Sequence, residues 1–240
     1  MSNKKHPEMT VKEIITELEK HGRPDALEGM KRYGINPENA IGVSVPNLRK
    51  VAKQIGKNHK LAHDLFATGI HDAMLLTALT AEKEKVTPKE MDAWVKAFYS
   101  WDLVDGFCNN LFVYTPYAYD KAIEWSSKRP EYIKRAGFVM MAVSAVHRKD
   151  WDDKKFISFF TILKREAAEE RNFVKKALNW ALRQIGKHNI NLNKKTILLA
   201  EEIKTMDSRS ARWIANDALR ELKSPQVQKR LKEKMRRYEK

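Results

Sequence analysis

The chain is poor in the residues that build staples, turns and membrane spans. Its 240 residues include one cysteine, Cys108, which excludes an internal disulfide and suits a reducing compartment. No apolar run approaches the roughly 20 residues that a helix needs to cross a bilayer, so a cytoplasmic protein is expected. Met1 to Pro7 is polar and lacks the apolar core of a secretory signal. Residues 1–8 are therefore expected to be a flexible tail ahead of one domain over 9–240. Only 9 glycines and 8 prolines occur, no Asn-Gly pair is present, and apolar residues recur at three and four rather than at two. A hairpin-rich architecture is excluded and an all-helical one is predicted. Also missing are a glycine-rich phosphate loop, a Cys/His zinc cluster and a nucleophilic-serine motif. His59 and His63 stand at a zinc-ligand spacing, but Lys60 occupies the place of a metalloprotease glutamate and the sequence offers no third ligand. Neither a metal nor another cofactor is expected.

What the chain has in excess is positive charge. Its 46 Lys and Arg outnumber 31 Asp and Glu, giving +15, and the excess is spread along the length. A polyanion, nucleic acid first, is the partner such a balance favours, although a plain solvated surface is the simpler alternative.

Helix start signals recur at Ser44-Val45-Pro46, Thr87-Pro88, Arg129-Pro130 and Ser208. About a dozen helices of roughly 10 to 18 residues joined by short turns would fill the chain. Lys176, Trp180, Arg183 and Lys187 step by four, three and four, and Arg209, Trp213, Asn216 and Arg220 repeat those steps 33 residues later. A faint repeat of that period without strand signals predicts stacked helix pairs of HEAT or armadillo kind. The expected fold is all-α, a right-handed α-solenoid of HEAT-like pairs with a concave basic surface. An irregular helical bundle is the alternative.

Three constellations carry candidate chemistry. Trp101 and Asp105, four apart, share a helical face, an indole beside a carboxylate. In a basic chain a carboxylate there would repel a polyanion, so stabilising a cation is a reason to place it. A core role for Trp101 is the competing reading. Ser100 is positioned to cap this helix, and Asp102, in its first turn, favours the macrodipole. Arg135 is the last charge before the apolar run Ala136 to Val143, placed either to clamp a phosphate or to make an internal salt bridge. Lys176, Trp180, Arg183 and Lys187 interleave cations with an indole beside the core stripe of Val174, Leu178, Leu182 and Ile185. Such a face suits phosphates and a sugar or base, and equally suits ordinary cation–π packing. Met140 and Met141 are expected to fill the core.

Trp-Asp-x-x-Asp at 101–105, Lys-Arg-Ala at 134–136 and Lys-Ala-x-x-Trp-x-Leu-Arg at 176–183, in that order, resemble the AlkD family of DNA glycosylases. Those proteins are built of HEAT-like repeats and excise alkylated purines. The resemblance runs from about Met30 to Arg220 and takes in Gly42-Val43-Ser44-Val45-Pro46 ahead of a basic helix. It implies that Trp101 and Trp180 border a lesion cleft, that Asp105 is the catalytic carboxylate, and that Arg135 holds the DNA beside it. Arg183 matches a basic family position and Arg49 aligns plausibly. Leu48 stands where a family arginine can occur, and Ser100 replaces a second tryptophan that can precede the motif.

The expected activity is hydrolysis of the N-glycosidic bond of 3-methyladenine or 7-methylguanine in duplex DNA. Such cationic bases leave as neutral molecules without a strong general acid. Asp105 would stabilise the oxocarbenium-like sugar and orient the attacking water. Arg49, Lys50, Lys176, Arg183, Lys187, Arg209 and Arg212 are the expected track for the DNA backbone. The expected partner is duplex DNA with alkylated bases, bound by a monomer with no obligate protein partner and no membrane. Two rival readings are a non-catalytic helical-repeat module that binds nucleic acid and a protein-binding scaffold of the armadillo kind.

Overall fold

The computed structural model describes residues 9–238, so the expected tail over residues 1–8 lies outside the described residues. Two compact units divide between Leu111 and Phe112. The first holds α1 (Val11–Glu19), α2 (Pro24–Arg32), α3 (Val45–Ile55), α4 (His59–Ala67), α5 (His71–Thr80), α6 (Pro88–Ala97) and α7 (Trp101–Asn110). The second opens with a 3-10 turn (Phe112–Tyr114). It continues with α8 (Ala118–Ser126), α9 (Glu131–His147), α10 (Asp153–Arg165), α11 (Asn172–Gly186), α12 (Ile190–Lys204), α13 (Arg209–Leu222) and α14 (Pro225–Tyr238). Among the described residues there are helices and no strand, as the apolar spacing requires. The helices run from 9 to 17 residues, slightly more and shorter than the sequence suggests.

All four start signals mark real N-termini, by different means. Thr87 closes a full capping box with Glu90. Ser208 Oγ accepts the Ala211 amide at 3.2 Å. Ser44 and Pro130 sit at the cap positions of α3 and α9 without a side-chain cap bond, and Pro46 in the first turn pre-sets φ for α3.

Helices pack in two rows. In the first unit α3 and α7 both pack on α5, with α4 laid on α5 and α1 against α3 and α4. In the second, α9, α11 and α13 follow one another in one row while α8, α10, α12 and α14 make the other. Among the described residues the helix pairs in substantial contact are near neighbours in the chain, the arrangement of a HEAT-like helix-pair repeat.

The middle of the second unit is α9, every residue of which from Arg135 to Ala145 is buried. Met140 and Met141 are fully buried there, as fillers of the core. Gly137 lets α9 lie directly on α8, since a Cβ at that position would sit 2.6 Å from Ser126 Cα.

The 33-residue repeat is visible in burial as well as in sequence. Leu178, Ala181, Leu182 and Ile185 of α11 are fully buried, and so are Ala211, Ile214, Ala215 and Ala218, their counterparts in α13. The two helices therefore turn equivalent faces to the core. Asn179 fixes their register by donating to the Ile214 carbonyl at 3.1 Å.

Candidate nucleic-acid interface

In each unit the candidate residues lie on the odd-numbered helices. Arg49 and Lys50 stand exposed on α3 while Leu48 between the turns is buried in the core, which removes it from any outward face. The loop leading into α3 is fixed by one buried carboxylate. Asp72 accepts the amides of Ile41 at 2.6 Å, Gly42 at 3.3 Å and Val43 at 2.7 Å. Gly42 is needed there because its φ is +83° and a Cβ would strike the Arg23 carbonyl.

Beside that clamp runs a chain of hydrogen bonds onto α7. His71, buried on α5, has its Nδ1 3.0 Å from the Tyr99 hydroxyl and its Nε2 2.7 Å from Asp102 Oδ2. The Ser100 hydroxyl donates to Asp102 Oδ1 at 2.6 Å instead of accepting a helix amide, so Ser100 occupies the cap position expected of it but serves the carboxylate. Burial alone would raise the Asp102 pKa, yet the bonds from His71 and Ser100 hold it below the ordinary value. Burial, followed by the charges of Asp102 and Asp72, pushes Tyr99 up to about 12. Asp102 thus ties the start of α7 to α5 through His71, besides lying in the first turn where the macrodipole favours it.

Trp101 opens α7 half-buried, its indole N–H donating to the Tyr33 carbonyl at 2.9 Å. Asp105 follows one turn later on the same side and is also half-buried. The pair Asp105-Gly106, a turn signature in other settings, lies inside the helix. A cleft of about 150 Å³ is lined by Arg23, Gly42, Ser44, His71, Asp72 and Asp102, among others, but neither Trp101 nor Asp105 borders it.

In the second unit Arg135 is only 6% exposed, and its guanidinium donates to the Phe173 carbonyl at 2.6 Å, where α11 begins. Next to it Lys134 pairs with Glu166 at 2.5 Å and Glu169 at 3.3 Å. Arg171 takes both oxygens of Glu169, at 2.9 and 2.6 Å. That fork, opposed by burial and aided by the Arg171 amide and Lys134, lowers Glu169 to about 2.

Lys176 is exposed and Trp180 half-buried on α11, while Val174, Leu178, Leu182 and Ile185 are fully buried, as the separate core stripe requires. The stripe is partly neutralised from within. Arg183 lies 2.7 Å from Glu221 and 3.6 Å from Asp217, and Lys187 lies 2.5 Å from Glu221. Burial raises the Glu221 pKa, and these two cations more than offset it. Asp217 and Glu221 belong to none of the sequence motifs. Their signal was position, since Glu221 follows Lys187 by 34 residues, about one repeat. Arg209 and Arg212 are exposed on α13, and Trp213 there is 43% exposed with Lys175 Nζ 5.3 Å from its ring centre.

These observations define an all-helical repeat protein with a basic, aromatic-bearing helix row in each unit. Over residues 14–222 the chain matches the family model described as DNA alkylation repair enzyme, and it belongs to that family. The fold is shared with a solved structure at 23% identity and a TM-score of 0.76, covering 87% of this chain and 94% of that one. That structure is described as "a new family of proteins related to the HEAT-like repeat DNA glycosylases with affinity for branched DNA structures". No curated protein matches the chain. Among the described residues no helix is long and apolar enough to cross a membrane.

Proposed function

We propose that the protein is a helical-repeat DNA-binding module of the alkylation-repair family, gripping duplex or branched DNA through its odd-numbered helices. One observation carries this reading. Arg49 and Lys50 in the first unit, and Lys176, Arg209, Arg212 and Trp213 in the second, are exposed and all lie on odd-numbered helices, which in the second unit pack one on the next. Exposed cations there can neutralise phosphates without reading sequence, and the indole offers a flat face to a sugar or base. The affinity for branched DNA described for the structural neighbour supports DNA as the ligand. Arg183 and Lys187 join the track when DNA phosphates displace Asp217 and Glu221. Residues 9–240 act as a single domain and as a monomer.

A second reading, excision of cationic alkylated purines, is favoured by the α7 pair. The Tyr33 carbonyl holds the Trp101 indole by its N–H, and Asp105 stands one turn on, partly open to solvent. In this reading Asp105 stabilises the positive charge that develops on the deoxyribose and orients the attacking water, while Trp101 offers its π face to the sugar. Arg135 of the second unit would contact a DNA phosphate after releasing the Phe173 carbonyl.

Release of 7-methylguanine from methylated duplex DNA, measured for wild type and Asp105→Asn beside binding to duplex and to a four-way junction, separates the two. Tight, salt-sensitive binding without release establishes the module. Release that Asp105→Asn abolishes while binding persists establishes the glycosylase. Failure to bind either DNA at physiological salt sinks both readings.

A further inference from the structure

Away from the odd-numbered row, the first unit brings together three donors that the sequence separates. His59 and His63 lie one turn apart on α4, and Glu90 is the third residue of α6. Both imidazoles aim Nε2 at the same carboxylate oxygen, Glu90 Oε1, at 3.0 Å from His59 and 2.7 Å from His63. A ligand atom from each of the three lies within 4.8 Å of the others, the only such group of three among the described residues. The third ligand missing from the sequence is therefore supplied from 27 residues beyond His63.

We propose that His59, His63 and Glu90 bind a divalent transition-metal ion of the zinc type, with solvent completing its coordination. Two imidazoles and one carboxylate are a recognised zinc donor set that leaves a fourth position open. Tetrahedral zinc with bonds of about 2.0–2.2 Å sets its ligand atoms ~3.3 Å apart. The Nε2 to Oε1 distances of 3.0 and 2.7 Å need to widen by a few tenths of an ångström, while the two imidazoles, whose donor atoms lie within 4.8 Å of each other, have to draw together by rotating about their side-chain bonds.

The donors are oriented in advance. The other oxygen of Glu90, Oε2, is held by the Thr87 amide and hydroxyl, each at 2.7 Å, so the capping box presents Oε1 to the histidines. The His63 ring lies 5.0 Å from that of Trp94, which is buried against Phe66 and Phe107 and gives the imidazole a rigid backing. The His63 side chain is 40% exposed and that of His59 14%, so solvent reaches the site from the His63 side.

Two features bound what the site does. Lys60 stands where a hydrolytic zinc helix carries its glutamate base, so the ion pins α4 to α6 and does not generate a hydrolytic water. His59 Nδ1 is buried without a hydrogen-bond partner. A ligating imidazole ordinarily donates that N–H to an acceptor, whose loss typically weakens metal affinity about 10–100-fold. The site is accordingly of moderate affinity and selects imidazole-preferring ions over magnesium.

The test uses full-length protein free of any histidine tag, stripped with chelator and titrated with Zn(II) against a colorimetric competitor. Co(II) serves as spectroscopic probe and Mg(II) as control. One equivalent of Zn(II) is expected, with Co(II) giving the visible absorption of a four-coordinate site and Mg(II) not competing. His63→Ala, at the more exposed donor, and Glu90→Gln, which keeps a capping-box side chain, are each expected to weaken Zn(II) binding more than about 10-fold. Their circular dichroism and DNA binding should be unchanged. Absence of stoichiometric binding to wild type overturns the proposal. So does binding that His63→Ala leaves intact, or Co(II) absorption of purely octahedral, solvent-like form. The wild-type Co(II) spectrum decides the matter even if a variant fails to fold.

Discussion

Arg183 on α11 and Glu221 on α13 face each other at 2.7 Å, and Lys187 shares the same carboxylate at 2.5 Å. The basic stripe read from the sequence is thus half-masked by the following repeat. Glu221→Gln unmasks two cations at once. It should tighten duplex binding several-fold at low salt and steepen the log–log salt dependence by about 1 to 2, each phosphate contact adding about 0.9. Filter binding across a salt series measures this, and an unchanged slope would place Arg183 and Lys187 outside the interface.

Trp101 is held through its indole N–H. Trp101→Phe keeps a ring but removes the bond to the Tyr33 carbonyl, which is an exposed contact between distant segments. A loss of about 0.5–1 kcal/mol in urea denaturation is expected. A loss above about 2 kcal/mol would mean that the indole carries core packing as well.

Asp72 gathers three backbone amides while 2% exposed. Asp72→Asn replaces one acceptor oxygen by a donor, leaving one or two amides unmet and the rest without charge assistance. The expected cost is about 2–4 kcal/mol in the same denaturation assay. A near-neutral result would show that the loop finds water or a new partner.

Glu169 makes a stability prediction of definite sign. Arg171, first through its side chain, takes its pKa from the ordinary value near 4.5 to about 2. A carboxyl depressed in the folded state stabilises it fully above the unfolded value. That contribution disappears as pH falls from about 4.5 through about 2. Glu169→Gln should therefore flatten the loss of stability with acid across that window. Melting temperatures at pH 6, 4, 3 and 2.5 check it, and parallel curves for variant and wild type would refute it.

The helical architecture was legible because the chain states it locally. Thr87, Ser208 and the two prolines announce N-termini, and the recurrence of Lys176 to Lys187 at Arg209 to Arg220 announces a repeat that burial then reproduces. The apolar run Ala136 to Val143 likewise carries no charge on any face, and the stretch of helix it forms is buried throughout. What the sequence hid were pairings between residues a repeat apart. Glu221 looks like a surface acid until α13 is laid on α11, and Glu90 looks like a capping residue until α6 brings it to His59 and His63. Ser100 shows the same limit at short range. Its position at the helix start was clear, but whether its hydroxyl would serve an amide or Asp102 depends on His71, about thirty residues earlier in the chain.

The Asp72 clamp has a consequence in time as well as in energy. Three amides that share one carboxylate cannot be released singly without leaving that buried charge short of partners, so the segment from Ile41 to Val43 opens only when the start of α5 opens. Its amide protons should exchange with solvent as slowly as those of a buried helix, although the segment has no regular structure of its own. The approach to the basic helix α3 is then rigid in the free protein, and in the DNA-binding role proposed above the ordering of that loop is completed during folding instead of being deducted from the affinity.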